Sequence, residues 1–354
     1  MHCDRFTGDH YQIGLQIGER YALWIQRAIA HFVNYHSDEF SAEEMAGYTS
    51  QWEETVLQKA PKQLEQLKGV CKAADVNWSD LLAMNFRFWN AVDARRAERI
   101  PGRFQRQGRA CTNIALRDPQ MGLLLGGTLD DFQLTWHIAG FAPKKALKHI
   151  CVTWIGTAWA GRGINEAGLA IGNSALKISG IDYPKHAEFT DFILKQILEQ
   201  AEDVDGAIEI LHSFGRQVGS AIILADRKGN CRLVETCWAG EVIHQMADDR
   251  LFCVNHVQSE ELRKKMIVMA YQDNPTQWSL NRYEYLTKQF ADTNFQPTRA
   301  GMERLLANHD NYPESMCHIM AAYVTIAAPQ SYPGTLFVAD GPSCRKKFQP
   351  VTIP

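Results

Sequence analysis

Arg109-Ala110-Cys111-Thr112-Asn113-Ile114-Ala115-Leu116-Arg117 marks an abrupt change in the character of the chain. Before it the sequence is polar and basic, with Arg95, Arg96, Arg99, Arg103, Arg106 and Arg109 close together. From Asn113 to Leu116 it reads as a strand. Asp118-Pro119-Gln120-Met121-Gly122 has the composition of a turn. Leu123-Leu124-Leu125-Gly126-Gly127-Thr128 is then the returning strand of a β-hairpin whose first residue is Cys111. A hairpin needs no cysteine there. A buried core thiol is one reading, since free cysteine is often core. A nucleophile exposed behind a basic loop, as a self-cleaving amidase requires, is the other.

The chain has 354 residues, enough for a large core in one or two domains. Hydrophobic residues make up 45% and charged residues 22%, ordinary for a globular protein, and the net charge of −3 gives no bulk attraction to nucleic acid or anionic membrane. The arginines from 95 to 109 are the local exception, read as a solvated linker or as a basic cover over an acidic ligand. No basic region followed by an apolar run opens the chain, and no apolar stretch reaches the ~20 residues of a bilayer span, so a cytoplasmic protein is expected. The nine cysteines are odd in number and scattered without a Cys-x-x-Cys pair, which fits reduced thiols and no zinc cluster of the usual spacing, Cys317 beside His318 included.

Apolar residues recur at helical spacing from 11 to 36 (Ile13, Ile17, Tyr21, Trp24, Ile25, Ala28, Phe32). The stretch 38–51 is polar. A second helix is expected over 52–71, interrupted at Pro61, and a third over 81–90, capped by Ser79-Asp80. After Cys111 strands are expected at 150–155, 169–173, 220–225, 231–236, 251–255, 323–328 and 335–339. Helices are expected at 188–199, 203–214, 279–290 and 299–308. Periodicity therefore gives a mixed α/β protein.

Cys111-Thr112-x-Ile114, followed by Gly126-x-x-x-Asp130, resembles the N-terminal-nucleophile hydrolases of the acyl-coenzyme A:6-aminopenicillanic acid acyltransferase type, which are related to the choloylglycine hydrolases and penicillin V acylases. Gly8-Asp9-His10-Tyr11-Gln12-Ile13-Gly14-Leu15-Gln16-Ile17-Gly18 is similar to that family's opening helix. Gly69 to Val76, with Asp80 to Asn85, resembles the end of its pro-segment. Gly163-Ile164-Asn165-Glu166-Ala167-Gly168-Leu169-Ala170, Val254-Asn255-His256 and Tyr312-Pro313-Glu314-Ser315-Met316-Cys317 resemble further blocks in the same order. The resemblance implies an α+β fold, a four-layer αββα sandwich over 111–354, preceded by a mostly helical pro-segment over 1–110. It also implies self-cleavage between Ala110 and Cys111.

An N-terminal cysteine can be nucleophile and base together. Its α-amine, with an unperturbed pKa of ~7.7–8.0, can take the thiol proton and return it to a leaving amine. By resemblance Asp130 holds that amine, with Asp131 as the neighbouring alternative. Asn255 is implied as an oxyanion donor and Asn173 as a second site asparagine, each otherwise a strand-end or turn residue. Arg282 would support Asp130 through a carboxylate contact, or else is a surface helix arginine. The family usually carries Arg or Gln, then Asn, where this chain has Gly127 and Thr128. His256 or His318 could instead activate Cys111 as a cysteine–histidine pair. Trp136, His137, Trp154 and Trp159 are candidate pocket walls. The expected partner is a small-molecule amide or acyl donor, an acyl-coenzyme A included, with no metal or other cofactor. Penicillins, acyl-amino acids, β-alanyl amines and bile-salt-like amides all fit, with water or an amine as acceptor. The alternative is an unprocessed, non-catalytic small-molecule-binding relative of the same fold.

Overall fold

The computed structural model describes residues 3–99, 111–130, 136–182, 189–215, 218–319 and 321–354. In chain order the elements are β1 (Asp4–Gly8), α1 (His10–His36), α2 (Ala42–Lys59), α3 (Pro61–Ala74), α4 (Trp78–Asn85), α5 (Trp89–Arg99), β2 (Cys111–Asp118), β3 (Gly122–Asp130), β4 (Trp136–Pro143), β5 (His149–Trp154), β6 (Arg162–Asn165), β7 (Ala170–Ala175) and β8 (Ile178–Ser179). There follow α6 (Thr190–Gln200), α7 (Val204–Phe214), β9 (Gly219–Ala225), β10 (Cys231–Cys237), β11 (Gly240–Gln245), β12 (Arg250–Cys253), α8 (Glu260–Val268), β13 (Gln272–Asp273), α9 (Gln277–Ala291), α10 (Arg299–Leu306), β14 (Ala321–Ala328), β15 (Thr335–Ala339) and β16 (Gln349–Thr352).

Strand alternation sorts these elements into four layers. An eight-stranded sheet runs β1-β4-β5-β6-β7-β9-β10-β11, and a six-stranded sheet runs β12-β2-β3-β14-β15-β16. Along β2, Ala115 faces the first sheet while Ile114 and Leu116 face away. On β7 and β9, Ala170 and Ile223 point between the sheets, and Ile171, Ile222 and Leu224 point outward. The outward face of the larger sheet is covered by α1, α3, α4, α6 and α7, and that of the smaller sheet by α9 and α10. The αββα sandwich is thus read from three separate cores.

Residues 3–99 are mostly helical apart from β1, which pairs in parallel with β4, so this segment also supplies an edge strand. Gly14 and Gly69 let α1 and α3 touch backbone to backbone; a Cβ on Gly14 would stand 2.0 Å from the Gln66 carbonyl oxygen. The polar stretch 38–51 is mostly α2, because Ser41 and Glu44 form a reciprocal capping box that starts the helix. The expected third helix is two, α4 and α5, and Asn77 rather than Ser79-Asp80 caps the first. Helix α8 and the edge strands β11 and β16 carry too little periodic apolar signal to stand out in the sequence.

Buried polar contacts fasten the N-terminal segment to the sandwich. His10 Nε2 lies 3.0 Å from Glu199 Oε2, and Gln63 Nε2 donates to the same oxygen at 3.1 Å. Lys195 Nζ stands 3.9 Å from the other Glu199 oxygen and donates to His149 Nε2 at 2.8 Å, which leaves His149 Nδ1 to donate to Leu147 O. Burial alone would raise the Glu199 pKa, but the His10 hydrogen bond and the charge of Lys195 outweigh it and hold the carboxyl low. Burial, then Lys195, push His149 down to about 3.

Glu199→Ala should cost about 3–5 kcal/mol in urea unfolding, because it strands Lys195 in the core, and Glu199→Gln should cost less. His149 stays neutral when folded and titrates near its ordinary value when unfolded. The unfolded chain therefore binds the extra proton as pH falls below ~6.5, so stability should drop with falling pH from there towards about 3. Replacing His149 with Gln should flatten that slope in a pH series of unfolding midpoints.

Candidate active site

Cys111 is the first residue of β2 and pairs with Leu129 across the ladder, so it stands on the rim of the smaller sheet. Its side chain packs against the core between the sheets. Its backbone N–H donates to Asn255 Oδ1 at 2.6 Å. Asn255 follows β12, which pairs with β2 in a register that matches Cys253 to Asn113. Its Nδ2 donates to Ala175 O at 2.8 Å, and its backbone N–H donates to Ser279 Oγ at 2.9 Å. The side chain is thus fixed with its oxygen, not its amide nitrogen, towards the cysteine nitrogen.

Arg162, the first residue of β6, is the residue that sequence reasoning missed. Its guanidinium is buried between the sheets. Nη1 donates to Asn113 Oδ1 at 2.5 Å, and Nη2 donates to Thr112 O at 3.0 Å and to Thr128 O at 2.5 Å. It also adjoins the Cys111 thiol. Burial lowers the Arg162 pKa, and the negative forms of Cys111, Cys253 and Asp130 work against that. Gly127 makes the room, since a Cβ there would meet Arg162 Nη1 and Thr112 O, each at 2.1 Å. The space that a long side chain at 127 would occupy is therefore filled from the opposite sheet. The available signal was an arginine between Gly161 and Gly163 opening an apolar strand.

Arg282 and Asp130 meet on the other face of the smaller sheet. Arg282, on α9, donates through Nη2 to Asp130 Oδ2 at 2.5 Å, through Nε to Ser315 O at 2.8 Å, and through Nη1 to the hydroxyls of Thr112 and Thr128 at 3.3 Å each. Both charges are buried, so their pairing and the other hydrogen bonds of Arg282 are what make them tolerable. Thr112 and Thr128 thus link the two arginines: their carbonyls hold Arg162 and their hydroxyls hold Arg282.

Asn173 is not brought to Cys111 in this way. Gly172 and Ser174 face Asn113 across the sheets, so alternation sets the half-buried Asn173 side chain on the outer face of β7. His256 Nδ1 lies 2.8 Å from Ser279 Oγ, and His318 packs on Trp278 at 4.2 Å. Burial lowers the pKa of both rings, and for His318 Arg282 adds to it. Trp136 stacks on Trp154 at 6.1 Å, and a Cβ on Gly161 would lie 3.4 Å from both Trp136 and Leu129, so this pair lies beside the cysteine's ladder partner. Trp159 is in the outer core. His137 lies 5.2 Å from the Tyr21 ring. Ala110, Asp131 and the basic stretch 100–110 fall outside the described residues.

Among the other thiols, burial raises Cys3, Cys71 and Cys317, and pushes Cys151 to about 11 and Cys231 and Cys253 to about 12. Cys253, although 3.5 Å from Asn113 Nδ2, is therefore protonated at neutral pH.

A family model described as acyl-coenzyme A:6-aminopenicillanic acid acyl-transferase matches residues 132–333, more than half of the chain and beginning beyond Asp130. Among solved structures, a Caenorhabditis elegans ortholog of N-acylethanolamine-hydrolyzing acid amidase is similar at 16% identity and a TM-score of 0.45, over 63% of this chain and 94% of that one. A variant of the conjugated bile acid hydrolase from Clostridium perfringens is similar at 11% identity and a TM-score of 0.46, over 68% and 92%. Penicillin V acylase from Agrobacterium tumefaciens is similar at 13% identity and a TM-score of 0.38, over 65% and 83%.

Gly127→Ala tests the packing of the two sheets around the guanidinium. The added methyl collides with Arg162 and with a backbone oxygen that cannot retreat, and overpacking of this kind costs ~1–3 kcal/mol. The expected result is a lowered unfolding midpoint in urea, which Gly126→Ala, directed at the flexible Met302, should match only in part.

Proposed function

The chain belongs to the acyl-coenzyme A:6-aminopenicillanic acid acyl-transferase family of amide hydrolases and acyltransferases, and we propose from that premise that it is a self-processing enzyme whose nucleophile is Cys111. The observation that carries this reading is the placement of Cys111. Its nitrogen is held by Asn255 Oδ1 and its thiol adjoins the buried Arg162 guanidinium.

In processing, Cys111 Sγ attacks the carbonyl carbon of Ala110. A C–S bond forms, the Ala110–Cys111 C–N bond breaks, and the nitrogen takes up a proton. Water then hydrolyses the thioester, giving a carboxylate on Ala110 and a free amine on Cys111. Residues 1–110 become the pro-segment chain and 111–354 the catalytic chain. The contacts of His10 and Gln63 to Glu199 support their staying together after cleavage.

In turnover the freed amine accepts the thiol proton, and Arg162 stabilises the thiolate by its charge. Sγ attacks the carbonyl of a small-molecule amide or thioester. The amine returns the proton to the leaving group, and the acyl group passes from sulfur to water or to an acceptor amine. Asn255 Oδ1 directs the amine. The second hydrogen of its Nδ2, beyond the one given to Ala175 O, is the candidate oxyanion donor. By family resemblance Asp130, buried and ion-paired with Arg282, is the carboxylate that orients the amine in its ammonium form. An acyl-coenzyme A is a candidate donor. The nine free thiols support a reducing, cytoplasmic setting.

Intact mass under denaturing conditions tests the reading. Wild type should give fragments 1–110 and 111–354, and Cys111→Ala a single chain. With processed protein and a panel of N-acyl amides, Asn255→Ala should lower kcat by ~100-fold or more. Arg162→Gln should move the acid limb of the pH–rate profile upward by weakening the thiolate. A wild-type chain that stays whole on long incubation would favour the non-catalytic binding relative.

A further inference from the structure

We propose that His309, Cys317 and Cys344 form a binding site for a soft divalent transition-metal ion, zinc foremost, separate from Cys111 and its chemistry. The ligand atoms of these three side chains all lie within 4.8 Å of one another. Two thiolates around a tetrahedral zinc stand about 3.8 Å apart, given a Zn–S distance of about 2.3 Å, so small side-chain movements close the site. Cys317 is buried, and His309 and Cys344 are exposed, which leaves a fourth position open to water.

Backbone and hydroxyl contacts hold the three residues together from distant parts of the chain. Cys317 N–H donates to Asn308 O at 2.9 Å, closing the loop that begins at the C-terminal end of α10. Ser343 Oγ donates to Leu306 O at 2.8 Å and stands 4.0 Å from Cys317 Sγ, so the segment carrying Cys344 is pinned to the same helix end. A helix C-terminus favours a cation. Two thiols and an imidazole suit zinc, and exclude calcium and magnesium, which take oxygen ligands. On binding, both thiols release their protons to solvent, so the two thiolates balance the charge of the ion.

The site also bears on Arg282. Ser315 accepts from Arg282 Nε and donates its hydroxyl to Cys317 O at 2.6 Å. An ion bound here braces the loop that backs the Arg282–Asp130 pair. Spacing in sequence did not reveal it, because 344 is joined to 309 and 317 only through the fold.

The test is titration of the full reduced chain with Co2+ as the probe, alongside elemental analysis of protein dialysed against zinc. Wild type and Cys111→Ala should each bind one equivalent, with a near-ultraviolet thiolate-to-cobalt charge-transfer band and the visible bands of a four-coordinate ion. Cys344→Ala and His309→Ala, both at exposed positions that tolerate change, should each weaken Co2+ binding about tenfold or more. The inference is overturned by the absence of the charge-transfer band in wild type, by a band that survives in both exposed-site variants, or by peptide masses that show a Cys317–Cys344 disulfide in place of bound metal. Because Cys111→Ala serves as the reference, loss of acyl-transfer activity and loss of the metal site are scored independently.

Discussion

A guanidinium buried between two β-sheets is the constraint on which the centre of this protein depends. Arg162 leaves the larger sheet and ends among acceptors of the smaller one: the Asn113 side chain and the carbonyls of Thr112 and Thr128. Moving such a charge out of water is costly, and the three hydrogen bonds made by its two terminal nitrogens offset that cost. Those acceptors belong to the two strands that meet at Cys111. The distance between the sheets, the register of the hairpin and the lack of a side chain at Gly127 are therefore coupled.

A second arginine completes the arrangement from the opposite face. Arg282 reaches Asp130 and the hydroxyls of the same two threonines whose carbonyls serve Arg162. Strand alternation accounts for the division. Odd-numbered residues of β2 and β3 look into the space between the sheets and even-numbered ones look towards α9 and α10. Cys111 is at the strand terminus, so its nitrogen lies at the rim, where Asn255 reaches it, while its thiol is on the side of Arg162. A nucleophile there has a directed nitrogen and a nearby positive charge.

The N-terminal segment is bound to the sandwich by the same kind of economy. Glu199 collects a histidine, a glutamine and a lysine from three elements, and β1 extends the larger sheet from the N-terminal segment. Segment and sandwich share one core, in which Phe6 and Ile13 pack with Phe141 and Leu198.

The sequence by itself determined the hairpin at Cys111, most of the strands after it and the helices on the outer faces, because period-two and period-3.6 burial follow directly from which residues are apolar. It also singled out Cys111, Asp130, Asn255 and Arg282, through local context and family pattern. Short edge strands such as β1 and β16 were not legible, since one face is solvated and only two or three residues carry the signal. The orientation of Asn255, the outward face of Asn173, the entry of Arg162 into the space at Gly127 and the convergence of His309, Cys317 and Cys344 were decided only by the tertiary structure. Each depends on which face of a strand or which end of a helix meets another element far away in the chain. A buried arginine has the same letter as a solvated one, and only packing separates them.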